Sequence, residues 1–355
     1  MVPNDPSGAC MPQPLCSSIP QAAEGPARGP QPAAPAPMPS RSRAAVLAAG
    51  WAALCLVAGF SLAGTSPTPR PAVPAPLAAQ SLLLDVASAD DLLAAAGERG
   101  HILLSRDAGR TWEQAQVPVQ ALLTGIHLLD GHTGWAVGHD GVLLRTADGG
   151  RTWELRRWAP EEEKPLLHVW FRDPERGFAA GAYGLLLTTT DGGATWSEQP
   201  VADDEWHLNH VAGSATGRIY IAAEAGHIFR SDDGGETWRP LPSPYEGSFF
   251  GTLPLDGDEV LLYGLRGHLF RSSDAGESWE EVESGTEASL TSGLVLRDGT
   301  VRIAGLEGTV LESACGRPPF SLRRHDDRKG ISALAETQDG RVVAVGEFGV
   351  RLLER

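Results

Sequence analysis

Short apolar stretches alternate with glycine-rich and polar turns from residue 81 to the end of the chain. In one representative segment, the apolar positions predict four strands over residues 122–128, 134–137, 142–145 and 152–155. Apolar runs of this length between turn residues are typical of strands and too short for helices. The first strands of the other units are predicted at residues 82–87, 166–171, 207–211, 249–253, 290–295 and 331–334. The pattern therefore predicts an all-β chain built from repeated four-stranded units.

A polar turn of constant sequence, Ser/Thr-x-Asp-x-Gly-x-Thr/Ser-Trp, recurs in five units. Its aspartates are spaced by 41, 43, 42 and 41 residues, at Asp107, Asp148, Asp191, Asp233 and Asp274. A carboxylate in this place accepts backbone N–H groups within a tight turn, and the glycine allows a positive φ. Because five equivalent aspartates do not form one active site, we expect them to be structural. The box tryptophans are expected to begin the fourth strand and to pack between sheets, at Trp112, Trp153, Trp196, Trp238 and Trp279.

A second signature, Gly-x-x-Gly before the third strand, counts the units. One copy has Ala223 in place of its first glycine, and the seven second glycines are Gly100, Gly141, Gly184, Gly226, Gly267, Gly308 and Gly349. Seven units of about four strands predict a seven-bladed β-propeller. The sixth unit has Cys315 where the box aspartate is expected, and the last unit stops at Arg355, where its box would begin.

The polar turns are Asp boxes, also called bacterial neuraminidase repeats. The longer stretch from Gly134 to Trp153 resembles the photosystem II stability/assembly factor family, and the similarity covers about residues 81–355. This resemblance implies a non-enzymatic propeller without cofactor or metal that assists the assembly or stability of a membrane protein complex. The complex would be photosystem II in a photosynthetic host and an envelope exporter in another. Asp boxes also occur in sialidases, so a sialidase-like glycoside hydrolase or a glycan-binding propeller is the alternative.

The charge distribution argues against nucleic acid as a partner. The chain has a formal net charge of −16; its first 80 residues contribute +2, which leaves −18 on the remainder. Nucleic-acid binding depends on lysine and arginine neutralising phosphates. Of the four cysteines only Cys315 lies in the repeats, so no disulfide can form within the propeller, and no zinc-binding spacing is present. We expect a monomeric propeller.

The N-terminal 80 residues predict three segments before the propeller of residues 81–355. Residues 1–40 are rich in proline and alanine and are expected to be disordered, or untranslated if synthesis starts at Met38. Residues 41–64 contain an uncharged apolar run behind two arginines, which predicts either a cleaved signal peptide or a single transmembrane anchor. Both place the propeller in the periplasm or on the extracytoplasmic face of the membrane. Residues 65–80 predict a proline-rich extended linker, a candidate for the outer strand of the seventh blade.

The loop face is the side on which the second-to-third-strand turns and the interblade loops emerge, opposite the boxes. Propellers usually bind ligands on this face, an argument by analogy of fold. Exposed Trp, Tyr and Arg contribute most to protein interfaces. The alternative is that these positions only shape turns, cap the core or remain solvated. The candidate binding residues are Arg99, His139, Asp140, Tyr183, Arg266, Glu307, Phe348, Trp158, Trp206, His207 and Tyr245.

Overall fold

The computed structural model describes residues 68–353 as seven antiparallel sheets arranged as the blades of a propeller. The predicted all-β, seven-bladed fold is confirmed. Six described sheets have four strands and the seventh has three. The blades are β1–β4 (Leu83–Ala89, Leu92–Gly97, Ile102–Ser105, Glu113–Gln114), β5–β8 (Leu123–Leu128, Gly134–Gly138, Leu143–Thr146, Glu154–Arg157), β9–β12 (Leu166–Phe171, Gly177–Gly181, Leu186–Thr189, Ser197–Glu198), β13–β16 (Leu208–Gly213, Ile219–Ala223, Ile228–Ser231, Arg239–Pro240), β17–β20 (Phe249–Pro254, Val260–Gly264, Leu269–Ser272, Glu280–Val282), β21–β24 (Leu290–Val295, Val301–Gly305, Thr309–Ser313, Ser321–Arg324) and β25–β27 (Ile331–Glu336, Val342–Gly346, Gly349–Leu353).

The ring closes through its innermost strands. Each first strand lies beside the first strand of the next blade, and β25 lies beside β1. Short 3₁₀ turns connect some strands, at Glu98–Gly100, His139–Gly141, Pro160–Glu162, Leu265–Gly267 and Leu306–Gly308, and another, Ala78–Gln80, precedes β1. Within residues 68–353, no helix is long and apolar enough to cross a membrane.

Apolar side chains form one cluster between each pair of neighbouring blades, and the box tryptophans belong to these clusters. Trp153 of the second blade is 5% exposed and packs against Leu92 and Leu104 of the first. The other four box tryptophans are half-buried against the preceding blade in the same way. Their predicted place between the sheets is confirmed. Their predicted position at the start of the fourth strand is wrong, because every fourth strand with a box begins one residue later.

The reason for this shift is visible in the second blade. The backbone N–H of Trp153 donates a hydrogen bond to the carbonyl of Gln116 in the preceding interblade loop, 3.1 Å away. It therefore faces the neighbouring blade and not β7 of its own sheet. The fourth strand consequently spans Glu154–Arg157 instead of residues 152–155.

Side chains from one blade satisfy the free inner edge of the next. Near the start of the first strands a register shift interrupts the regular pairing, and the residue after it turns towards the neighbouring blade. Asp85 Oδ2 accepts the N–H of Ile126 at 2.8 Å, and Ser292 Oγ accepts that of Leu334 at 3.2 Å. One residue earlier, donors such as Thr124 and Asn209 bond to carbonyls of the next first strand.

The seventh blade differs from the expectation for the linker. Among residues 68–353, no strand pairs with β27 on the side away from β26. The preceding segment instead runs along the outer edge of the first blade, where Ala72 N donates to Val117 O at 2.9 Å and the Gln114 amide bonds Ala75 N and Val73 O. Residues 68–79, the described part of the segment 65–79, therefore do not form the outer strand of the seventh blade, and the prediction is wrong for them. The predicted segments 1–40 and 41–64 lie outside the described residues.

Candidate functional site

The loop-face turns have a geometry that the glycines make possible. Gly97 is extended, Arg99 and Gly100 have φ values of 58° and 73°, and His101 N donates to Glu98 O at 3.0 Å. Two successive positive φ values define the tight hairpin turn that matches strand twist. A side chain on Gly100 would collide with the carbonyl of Val119 in the interblade loop. The constant glycines thus bring each turn against the following loop.

The residue before the second glycine lies at the tip of each turn. It has a positive φ and is exposed in six blades, and five of these six residues are larger than alanine: Arg99, Asp140, Tyr183, Arg266 and Glu307. His139 is exposed beside Asp140. In the seventh blade Phe348 is half-buried, with the Arg351 guanidinium 4.1 Å from its ring centre. Six of the candidate residues therefore project from the loop face, whereas Phe348 is partly covered.

The third and fourth blades bring three candidate residues together. The Tyr183 ring, 47% exposed, meets the His207 ring edge-on at 4.9 Å. The Glu224 carboxylate accepts the backbone N–H of His207 at 2.8 Å and lies 3.6 Å from its Nδ1. Trp206 stacks on the His227 ring at 4.2 Å. These five residues form what we call the aromatic cluster, which sequence spacing did not reveal because its members come from two turns and one interblade loop.

The remaining interblade candidates, Tyr245 and Trp158, each pack at a junction between two blades. Tyr245 lies 4.1 Å from the His268 ring, whose Nδ1 is 2.8 Å from a Glu281 carboxylate oxygen. Trp158 is half-buried against the cluster between the first two blades. Tyr245 lines a pocket together with His227 and therefore adjoins the aromatic cluster, whereas Trp158 lies apart from it at the junction of the first two blades.

The charges on the loop face are mixed in sign. Arg99 belongs to the first blade and Arg266 to the fifth, so these two cations lie on different sides of the ring. Glu307 in the sixth blade is 3.5 Å from Arg328. Across residues 68–353, no three His, Cys, Asp or Glu side chains are grouped so that they could hold a metal ion. This arrangement suits recognition of a surface better than concentrated acid–base chemistry.

The first strands of the seven blades surround the central channel of the ring. They carry titratable groups that the sequence analysis did not identify as candidates. His168 and His210 have ring centres 4.1 Å apart. Desolvation lowers the pKa of His127 and of His210 to about 4, and burial followed by the neighbouring His210 and His127 lowers that of His168. Burial raises the pKa of Asp85 to about 6 against two opposing backbone hydrogen bonds. The channel therefore holds neutral imidazoles at pH 7.

The box aspartates are fully occupied by their turns. Asp191 Oδ1 accepts Thr195 N at 2.9 Å and Thr189 Oγ1 at 2.8 Å, while Oδ2 accepts Thr195 Oγ1 at 2.6 Å. These bonds, led by the Thr195 hydroxyl, lower the pKa of Asp191 to about 2. The other four boxes repeat the arrangement. The structural role expected for these aspartates agrees with this geometry.

Comparisons with solved structures agree with the propeller fold. A YCF48 structure bound to a D1 peptide is 17% identical, with a TM-score of 0.64, and the match covers 77% of this chain and 91% of that one. YCF48 from Cyanidioschyzon merolae is also 17% identical, with a TM-score of 0.63 and coverage of 81% and 98%. Streptogramin B lyase matches at 12% identity with a TM-score of 0.67, covering 77% and 94%. At these identities the likeness concerns the fold alone.

The family model gives the more specific result. A search of curated proteins finds no significant match. The model of the photosynthesis system II assembly factor YCF48 matches residues 104–168 and 161–350, well over half of the chain. The resemblance inferred from the Asp boxes is confirmed, and the non-enzymatic assignment is supported over the sialidase-like alternative. This chain is a member of the YCF48 family of photosystem II assembly factors.

Proposed function

We propose that this propeller acts outside the cytoplasmic membrane and docks through its loop face on an extended segment of a membrane protein during assembly of its complex. The family assignment and a relative whose structure is described as bound to a D1 peptide support this proposal. In a photosynthetic cell the partner is a photosystem II subunit. In another cell it is a component of an envelope complex such as an exporter.

The observation that carries the docking site is the aromatic cluster. It presents a half-exposed Tyr183 beside His207 and Trp206 on the loop face. Aromatic side chains with a polar end contribute strongly to protein interfaces because they bury a large apolar area at a small entropic cost. The charged tips Arg99 and Arg266 then select the orientation of the partner by charge complementarity.

The extracytoplasmic location rests on the sequence of residues 41–64, where an apolar run follows two arginines. Protease added to intact spheroplasts should degrade the propeller without lysis. Protection of the propeller until the cells are lysed would contradict the location and leave the docking proposal standing.

Affinity purification from mildly solubilised membranes tests the docking. A C-terminally tagged wild-type chain should recover a reproducible integral-membrane partner that mass spectrometry identifies. Tyr183→Ala and the double variant Arg99→Glu/Arg266→Glu should recover at least about fivefold less, as expected for loss of an interface anchor or of complementary charge. Arg151→Glu, on the opposite box face, is the matched control. Equal recovery by all four proteins would exclude the loop face as the docking surface.

A further inference from the structure

The open edge of the seventh blade is the clearest unfilled feature of the described propeller. In six blades a short fourth strand covers the third, whereas β27 pairs only with β26 among residues 68–353. Alternate residues of such a strand direct their N–H and C=O groups to the uncovered side. An exposed edge of this kind is a template for pairing with another chain.

The same place lacks the aromatic side chain that fills the other blade junctions. Five junctions contain a box tryptophan, and the junction of blades five and six contains Phe320. In the cluster between blades six and seven the only aromatic side chain is Phe348, which comes from the loop-face turn. When the Gly-x-x-Gly turns of the first and sixth blades are aligned, Arg302 and Glu312 occupy the positions of Ala94 and Leu104. The sixth blade thus has a charged pair where the first blade has an apolar pair.

A groove of about 580 Å³ opens at this junction. Its apolar floor includes Val310 and Leu353, which are 8% and 7% exposed. Arg302, also nearly buried, is held by Glu312 at 2.8 Å. We call this feature the blade-seven groove.

The rim of the blade-seven groove carries three arginines together with two carboxylates, those of Asp326 and Asp327. Arg323, Arg324 and Arg351 line it; Arg351 pairs with Asp327, and Arg324 donates to Thr286 Oγ1 at 3.0 Å. Arg323 is exposed, and no carboxylate in the described part of the chain forms an ion pair with it. Arg323 therefore favours an occupant that brings a carboxylate to this side of the groove.

We propose that the blade-seven groove binds an extended segment of a partner protein, which adds to β27 as the missing fourth strand. The segment places an aromatic side chain on Val310 and Leu353 and an acidic residue beside Arg323. An aromatic residue followed by an acidic one already occurs in three boxes of this chain. Trp112, Trp153 and Trp279 are each followed by a glutamate that begins a fourth strand.

Two other occupants fit less well. Residues 1–67 are rich in proline, which cannot donate in a strand ladder, and contain only Asp5 and Glu24 as acidic residues. A second copy pairing edge to edge would add another β27, whose residues Gly349–Leu353 include no aromatic side chain for the apolar floor. The inference rests on the proposed function only in assuming a protein partner, and it concerns the junction of blades six and seven, away from Arg99, Tyr183 and Arg266.

The test uses a fluorescent synthetic peptide with the sequence of residues 272–283, which contains a box, its tryptophan and an acidic fourth strand. The peptide should bind the full-length protein in anisotropy titrations, and hydrogen exchange of residues 349–353 should slow on binding. Arg323→Glu should weaken binding at least about fivefold, whereas Arg151→Glu and Arg99→Glu/Arg266→Glu should leave it unchanged. Peptides with Trp279→Ala or with Glu281→Pro should bind at least about tenfold more weakly.

Several results would overturn the inference. They are the absence of peptide binding, equal binding by Arg323→Glu and wild type, unchanged exchange at residues 349–353, and a concentration-dependent dimer that Arg323→Glu changes. Because the loop-face double variant retains the groove, failure of peptide binding and failure of loop-face docking are separate outcomes.

Discussion

At the scale of single residues, the same few hydrogen bonds are repeated in every Asp box. The carboxylate bridges the hydroxyl before it and the backbone and hydroxyl after it, as Thr189, Asp191 and Thr195 illustrate. Such bonds favour the charged carboxylate, so the folded state releases this proton more readily than the unfolded chain does. This stabilising contribution is present above pH 4 and disappears as the pH falls towards 2.

Replacing one box carboxylate tests this linkage. In Asp191→Asn the decrease in thermal midpoint between pH 4 and pH 2 should be shallower than in wild type, because one of the groups that take up a proton on unfolding is gone. Thermal scans at half-unit pH steps measure it. Asp203→Asn, which changes an exposed carboxylate of an interblade loop outside the boxes, is the matched control. An identical slope for Asp191→Asn would show that the box carboxylate is not linked to acid unfolding.

Two tryptophans of equal sequence context should differ in their contribution to stability. Trp153 is 5% exposed and donates its indole N–H to Gly150 O at 2.9 Å. Trp196 is half-buried, and its indole nitrogen has no hydrogen-bond partner among residues 68–353. Trp153→Ala should lower the free energy of unfolding by roughly 3–5 kcal/mol, and Trp196→Ala by about half as much. Chemical unfolding monitored by circular dichroism gives both values, and a loss below about 1 kcal/mol for Trp153→Ala would contradict the packing.

The sequence predicted the glycines of the loop-face turns better than the residues between them. In the first blade, backbone contacts leave no room for a side chain at Gly97 or Gly100, and only the position of Gly100 has glycine in all seven units. Arg99, Tyr183 and Glu307 have a positive φ because the hairpin turn requires it at their position. These residue types do not favour such a φ, so their local conformational preferences did not predict it. The aromatic cluster was unpredictable for a related reason, since it depends on how consecutive blades are placed.

At the scale of elements, the strand order and the number of blades followed directly from the periodic boxes and turns. What the pattern did not show is how neighbouring first strands are joined. Asp85 and Ser292 point at the next blade because the register shift breaks the alternation of side chains. Side chains alternate between the two faces of a regular strand, and this alternation does not predict side-chain direction beyond a register shift.

The channel histidines predict a second pH dependence. Their folded pKa values lie below the usual 6.5, so protons bind preferentially to the unfolded chain as the pH falls from 6.5 to 4. Stability should be complete above pH 6.5 and decrease towards pH 4. The raised pKa of Asp85 has the opposite effect on stability, because the folded state holds this proton more tightly between pH 3.8 and 6. This single carboxylate opposes the three histidines.

His210→Asn should flatten the decrease in thermal midpoint between pH 6.5 and pH 4. His139→Asn, which changes an exposed imidazole on the loop face, is the matched control and should behave as wild type. A decrease in His210→Asn as steep as in wild type would show that this imidazole is protonated equally in the folded and unfolded states.

At the scale of the whole molecule, the junction of the first and seventh blades includes a segment that belongs to neither sheet, the 3₁₀ turn Ala78–Gln80. Ala78, 4% exposed, lies among side chains of the first and seventh blades. The repeat pattern predicted the ring, but it did not predict this junction, because the proline-rich linker has no repeat sequence to align.

Ala78→Glu should open this junction. Placing a carboxylate in that apolar cluster should lower the free energy of unfolding by about 2–4 kcal/mol, and limited proteolysis should cut first near β27. Ala79→Glu, at a half-buried neighbour, should cost less. Equal stability of the two variants would mean that residue 78 does not hold the blades together.

The course of residues 71–75 along the first blade has a mechanical consequence. A pull applied to the chain ahead of Thr68 would be borne first by the bond from Ala72 to Val117 and by the two bonds of the Gln114 amide. The load would next reach Ala78, between the first and last blades, before it reached β1. Under tension the first and seventh blades would separate at this junction before any strand left its own sheet.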